Sequence, residues 1–175
     1  MVVGDLSDNR PRALDLPAML DVLAQTIVNA LGFEVAVVNI VESARRVVAV
    51  SVAGPAEVRH HILGSSGTLS NWRRLLDSGQ GWGRLVFIDH AVVDYDDVCD
   101  LTSWVPDVDA SDDPGVWHPD DVLLAPLWSS DGSLLGVLSV DLPRGGRRPD
   151  DDTRTSLEAF AVSAALAVEH ATLRA

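Results

Sequence analysis

The sequence predicts an α+β domain: a mainly antiparallel sheet with a helix at each end of the chain. Three observations carry the prediction. Val- and Ile-rich segments come in consecutive pairs joined by short turns, apolar residues recur at helical spacing near both ends, and strands do not alternate with helices as a doubly wound parallel sheet requires.

The elements follow in order. Asp15 to Leu31 reads as a helix, with Asp15 placed to cap it, Pro17 in its first turn, and Leu16, Leu20, Leu23, Ile27 and Ala30 spaced four and three apart. Gly32 stops it. Phe33 to Glu42 and Val47 to Ala53 read as the two strands of a hairpin. Pro55 to Leu63 and Leu69 to Leu76 read as short helices, each followed by a glycine, and Trp82 to Ile88 reads as one strand. Val122 to Trp128 and Leu134 to Leu142 flank the turn Ser130-Asp131-Gly132-Ser133 and form the clearest hairpin. Pro149 and the three aspartates after it open a helix that runs to about Leu173, since carboxylates are stabilised by the positive end of a helix dipole. Apolar residues on both terminal helices span more than one stripe. Each is expected to cover the sheet with one arc and to meet another helix with the other, Leu20 and Ala164 lying at a subunit contact.

Composition bounds the function. With 175 residues and 47% apolar content the chain suffices for one domain, residues 15–173, preceded by an extension, residues 1–14. Twenty-six acidic residues against 13 basic ones give a net charge of −13, which repels nucleic acid and anionic lipid, so no direct nucleic-acid partner is expected. All the basic residues are arginine. Without lysine, a Walker-A phosphate loop and Schiff-base chemistry are excluded, and with Cys99 as the single cysteine so are an intrachain disulfide, a CxxC pair and a multi-thiolate zinc site. No apolar run reaches the roughly 20 residues of a membrane span, and Met1 to Arg12 lacks the pattern of a signal peptide, so a cytoplasmic protein without membrane insertion is expected.

Between Asp89 and Asp121 the pattern changes, with eleven aspartates, no basic residue and no periodicity. A loop of this length inside a compact domain points to a functional or mobile segment. Asp107, Asp109, Ser111 and Asp113 alternate as in a calcium loop, but Asp112 stands where the glycine is needed and His118 where the bidentate glutamate is needed. The loop therefore reads as a solvated acidic segment, with Arg84, Arg144, Arg147 and Arg148 as its counter-charge. No metal site and no catalytic pair of nucleophile and base emerges.

Taken with the order of elements, Val122-Leu-Leu-Ala-Pro-Leu127, Leu134-Leu-Gly-Val-Leu-Ser-Val-Asp141 and the closing helix Pro149 to Ala171 resemble a GAF domain of a bacterial signalling protein, over roughly Asp15 to Thr172. The resemblance implies a six-stranded antiparallel sheet with terminal helices on one face and short helices plus a long loop on the other. It further implies a pocket under that loop, a regulatory rather than enzymatic role, and dimerisation through the terminal helices. The Asn-Lys-Phe-Asp-Glu signature of cyclic-nucleotide-binding members is unmatched in a chain without lysine. The cysteine of bilin-binding members commonly sits beside a histidine, whereas Cys99 lies between Val98 and Asp100, and members that reduce methionine sulfoxide need a second, resolving thiol. Haem ligation through His90 or His118 stays open beside plain turn and capping roles for both.

Trp72, Trp82, Trp104 and Trp117 lie in the segments that roof such a pocket. They line a cavity for a planar ligand or simply fill core, the two readings having the same composition; Trp128 reads as filler between sheet and loop. Asn39, Ser139 and Asp141 break apolar strands at period-two positions, and a polar group on a covered face needs a partner, either a ligand or nearby backbone. The expected ligand-binding set is Trp72, Trp82, Trp104, Trp117, His118, Asn39 and Ser139. The expected function is a sensory module that binds an unidentified small molecule between sheet and loop and signals through its terminal helices as a homodimer, the alternative being an interaction module without a ligand. No cofactor is identified.

Overall fold

A computed structural model describes residues 15–92, 101 and 104–173. Helix α1 (Leu16–Thr26) begins where Asp15 accepts a hydrogen bond from the Ala18 amide at 3.0 Å, as the sequence predicts. Its last turn, Ile27–Leu31, is π-helical and ends at Gly32, whose φ of 78° suits a residue without Cβ. The remaining elements are β1 (Phe33–Ser43), β2 (Arg46–Ala53), α2 (Ala56–Ile62), β3 (Ser66–Thr68), α3 (Leu69–Ser78), β4 (Gln80–Trp82), β5 (Leu85–Ile88), β6 (Val122–Trp128), β7 (Leu134–Pro143) and α4 (Asp151–Thr172). Asp150 caps α4 by accepting from the Thr153 amide at 2.9 Å.

The strands form one antiparallel sheet in the order β3-β2-β1-β7-β6-β5-β4. It has seven strands rather than six. Two are three-residue edge strands: β3, and β4, which arises because Gly83 and Arg84 turn the expected Trp82 to Ile88 strand into a tight hairpin. At the centre β1 pairs with β7, from Phe33 opposite Pro143 to Ile40 opposite Gly136. A side chain at Gly136 would run into the Asn39 carbonyl oxygen, so the close approach of these two strands requires glycine.

Strand alternation gives the sheet two different faces. On the helix face Ala36, Val38, Leu123, Ala125, Leu138 and Val140 pack with Leu20, Ala24 and Ile27 at the end of the first helix and with Leu157, Ala161 and Ala164 of α4, forming the largest core cluster. A bulge at Val50 in β2 turns Ser51 to this side, where its hydroxyl donates to Asp21 of α1 at 2.6 Å. On the opposite face, Val35, Val37, Ala49 and Val52 meet Val58 and Ile62 of α2, and Leu69 of α3 packs beside Val47, Leu124 and Val137.

Leu20 and Ala164 are buried against the sheet, so neither lies at an outward subunit contact. The outward apolar residues of the terminal helices are Met19, Val22, Val162 and Leu166. Trp128 is half exposed at the end of β6 instead of filling space beneath the loop, because a register shift between Leu127 and Trp128 ends regular pairing there. Among the described residues no helix is long and apolar enough to cross a membrane.

Candidate functional site

The face away from the terminal helices holds a cavity of about 150 Å³. Its floor is the β1–β7–β6 surface, carrying Val35, Val37 and Asn39 of β1, Ser139 and Asp141 of β7, and Leu124 of β6. Ile62 of α2 with Trp72 and Leu75 of α3 make one wall, and Trp104, Val105 and the segment Pro119–Val122 make the cover. Ring and aliphatic surface thus enclose a floor interrupted by three polar side chains, the usual composition of a ligand pocket.

Those three are in register. Val35 pairs with Asp141, Val37 with Ser139 and Asn39 with Val137, so all three polar groups share a face. Asn39 donates from Nδ2 to the Val137 carbonyl at 3.1 Å. Asp141 Oδ1 accepts from Trp117 Nε1 at 2.9 Å and from the Leu142 amide at 2.7 Å, and Leu142 holds the left-handed φ of 50°. Burial pushes the Asp141 carboxyl up to about 7; the nearby Asp121 charge adds to the effect and the Leu142 and Trp117 N–H groups oppose it.

A polar cluster centred on buried Asp121 closes the cover. Asp121 is 2% exposed and accepts from the amides of His90 and His118, both at 3.0 Å, from His90 Nδ1 at 3.2 Å, and from Arg148 Nε at 3.1 Å and Nη2 at 3.2 Å. Arg148 Nη2 also reaches Asp89 at 2.8 Å, and the rings of His90 and His118 stack with centroids 3.8 Å apart. The cluster ties both ends of the aspartate-rich loop to the segment before α4. Of the four arginines read as counter-charge, Arg148 fills that role here. The Ala91 amide, opposed by burial and reinforced by Arg148, holds the Asp89 carboxyl below its ordinary range. Asp89, His90 and Asp121 bring potential ligand atoms within 4.8 Å of one another, but the Arg148 guanidinium already bridges the two carboxylates, so the set is built around an organic cation rather than a metal ion.

The expected site residues divide. Trp72, Trp104, Asn39 and Ser139 line the cavity. Trp82 does not: its pairing with Leu85 puts it on the helix face, where its ring stacks on Phe87 at 4.1 Å and lies under the Arg154 guanidinium of α4. Trp117 is also drawn to that side, buried in the helix-face core with its ring tilted against Phe87, and touches the cavity floor only through its hydrogen bond to Asp141. His118 stands behind the cover, its ring against His90 and its Nδ1 accepting from the Asp120 amide. Neither histidine lines the cavity. Cys99 and the aspartates between residues 93 and 100 lie outside the described residues. Val35, Val37 and Ile62 were absent from the expected set although strand and helix periodicity place them. Asp141 was absent too, although the period-two pattern singles it out.

The chain matches the GAF domain family over residues 15–168. No curated protein is a significant match in sequence. Among solved structures it is similar to residues 122 to 287 of a methyl-accepting chemotaxis protein, at 19% identity and a TM-score of 0.64, with 93% of each chain covered. It is also similar to the phycoerythrobilin-bound GAF domain of a cyanobacterial phytochrome, at 16% identity and a TM-score of 0.62, with 92% of this chain and 89% of that one covered. The GAF-B domain of DevS from Mycobacterium smegmatis is a further likeness, at 21% identity and a TM-score of 0.51, with 90% and 96% covered. The match across most of the chain, on a sheet with terminal helices on one face and short helices and loop over a cavity on the other, makes this chain a member of the GAF domain family.

Proposed function

We propose that this domain is a cytoplasmic sensory module that binds a small molecule in the cavity and reports its presence through the terminal helices. The observation that carries the reading is the cavity itself, which lies on the sheet face opposite α1 and α4 and combines tryptophan and aliphatic walls with polar atoms on its floor. The phycoerythrobilin-bound neighbour is a precedent for ligand binding by this fold. A physical route joins the two faces: Asp141 on the floor holds Trp117, whose ring meets Phe87, which stacks on Trp82 under Arg154 of α4. Loading the floor would shift this stack and the start of α4 with it.

Native mass spectrometry of freshly purified protein and tryptophan emission test the reading together. A co-purifying small molecule that quenches emission, and whose binding Trp72→Ala weakens about tenfold, is the expected result. Protein that carries no small molecule and binds none from a library of ring compounds contradicts it.

A second reading, an interaction and dimerisation module, is favoured by Met19, Val22, Val162 and Leu166, which lie 41% to 56% exposed on α1 and α4. We propose homodimerisation through this surface in either case. Val22→Arg with Leu166→Arg is expected to convert a dimer to a folded monomer in light scattering; a wild-type monomer at high micromolar concentration would rule the interface out.

A further inference from the structure

The cavity floor carries three polar side chains, and each keeps an atom without a hydrogen-bond partner among the described residues. Asn39 uses Nδ2 on the Val137 carbonyl, which leaves Oδ1. Asp141 receives both of its hydrogen bonds on Oδ1, which leaves Oδ2. Ser139 lies between them on the same face with its hydroxyl unused. Asn39 is only 6% exposed, and its free oxygen opens onto the cavity. The free oxygen of Asn39 accepts, that of Asp141 accepts once its carboxyl is ionised, and the hydroxyl between them can accept as well.

Charge points the same way. Among the described residues, the ionisable groups lining the cavity are Asp120, Asp121 and Asp141, with no arginine or histidine. Arg148 answers Asp121 from behind, whereas Asp141 has only N–H dipoles. Among the described residues no cation lines the cavity to receive an anion. A purely apolar molecule would displace water from the acceptors and replace none of its hydrogen bonds. A cavity of about 150 Å³ matches the size that admits a benzene ring, and Trp72 and Trp104 offer it aromatic faces.

Building on the small-molecule reading of the pocket, we infer that its ligand is a single-ring organic cation with N–H donors, of the aryl-alkylamine or amidine class. Its charged end sits on Asp141 Oδ2 and Ser139 Oγ, and its ring lies against Val37, Leu75 and Trp72. The position of Asp141 on the cavity floor fits this role. With its carboxyl raised to about 7, an arriving cation favours the carboxylate, so binding below about pH 7 releases a proton. The groups around it allow this assignment: the segment before β6 brings Asp120 and Asp121, Arg148 stands beyond Asp121, and β1, α2 and α3 contribute Val35, Ile62, Trp72 and Leu75.

Calorimetric titration of the full chain with benzylammonium, toluene and benzoate tests the assignment. Benzylammonium is expected to bind at least tenfold tighter than toluene, with benzoate weakest. Its affinity should rise with pH and level off above about 7. Asp141→Asn, which keeps an oxygen for Trp117 and Leu142, should cost benzylammonium at least tenfold, remove the pH dependence and leave toluene within twofold. Ser139→Ala should reproduce the loss at a few-fold, and it decides the matter if Asp141→Asn does not fold. Equal binding of toluene and benzylammonium, or tightest binding of benzoate, overturns the cation assignment and leaves the pocket reading standing. Failure of all three probes to bind overturns the single-ring cation assignment, while the pocket reading is decided by native mass spectrometry and the wider library of ring compounds.

Discussion

The two faces of this sheet are built from the same strands and share no purpose. On the helix face, Val38, Leu138 and Leu123 meet the two terminal helices in one continuous core cluster. On the other face the neighbouring positions Val37, Ser139, Leu124 and Asp141 meet two short helices and a loop, and a cavity remains. The difference comes from the covering elements. A 22-residue helix with alanines along its inner side approaches a sheet closely, whereas α2 with 7 residues and α3 with 10 cannot span it. A face that is incompletely covered can carry polar groups, and here it does.

Large-to-small substitutions should break this symmetry most visibly. Leu138→Ala, at a fully buried position on the helix face, is expected to cost about 4 kcal/mol, while Leu75→Ala, half-buried at the cavity wall, costs about 1 kcal/mol because its neighbours already border empty space. Urea denaturation of the two variants measures the contrast, and equal costs would mean that both faces are packed alike.

Next in size is the clamp on the cavity's cover. Arg148→Ala leaves Asp121 buried without its cation and is expected to cost about 3 kcal/mol. Faster hydrogen exchange should follow at the amides of His90 and His118, which Asp121 holds, with little change in β7. Uniform acceleration across the sheet would show that the cluster supports the whole fold rather than the cover.

Asp141 gives the cavity face a pH signature of its own. Its carboxyl is raised from 3.8 to about 7 in the fold, so the folded state keeps a proton that the unfolded state releases. Its contribution to stability is therefore full below about pH 4 and declines as pH rises toward 7. The decline is expected to be about 2 kcal/mol, less than the full shift implies because the group borders a cavity. Asp141→Asn should remove that decline, so its stability relative to wild type improves between pH 4 and 7; parallel curves would place an ordinary, ionised carboxylate at this position.

The smallest expected effect lies across the sheet. Arg154→Ala removes a cation from above Trp82 and should cost about 0.5 kcal/mol, with ligand affinity altered by a few-fold because the stack joins the floor to α4. Unchanged affinity would show that the Trp82–Phe87–Trp117 stack does not couple the cavity floor to α4.

How much of this was legible in the sequence follows from the range of each interaction. Helix ends were, because Asp15 and Asp150 act on amides three residues away. The shared face of Asn39, Ser139 and Asp141 was also legible, since period two fixes it once the strands are recognised. The face of Trp82 was not: it depends on Gly83 and Arg84 making a hairpin of what reads as one strand. Trp117 and His118 sit in a segment without periodicity, so nothing local assigns them a side. The bridge from Arg148 to Asp89 and Asp121 joins residues far apart in the chain, and an acidic loop beside a few arginines does not say which of them pairs.

The central claim is that one face of the sheet is solid and the other receives a ligand. Methyl-detected NMR during titration with benzylammonium tests it most directly. Shifts concentrated at Val35, Val37, Ile62 and Leu124, with Val38, Leu123 and Leu138 unmoved at early points, are the predicted result. Shifts that begin at Val38 and Leu138, or that are spread equally over both sets, would contradict it.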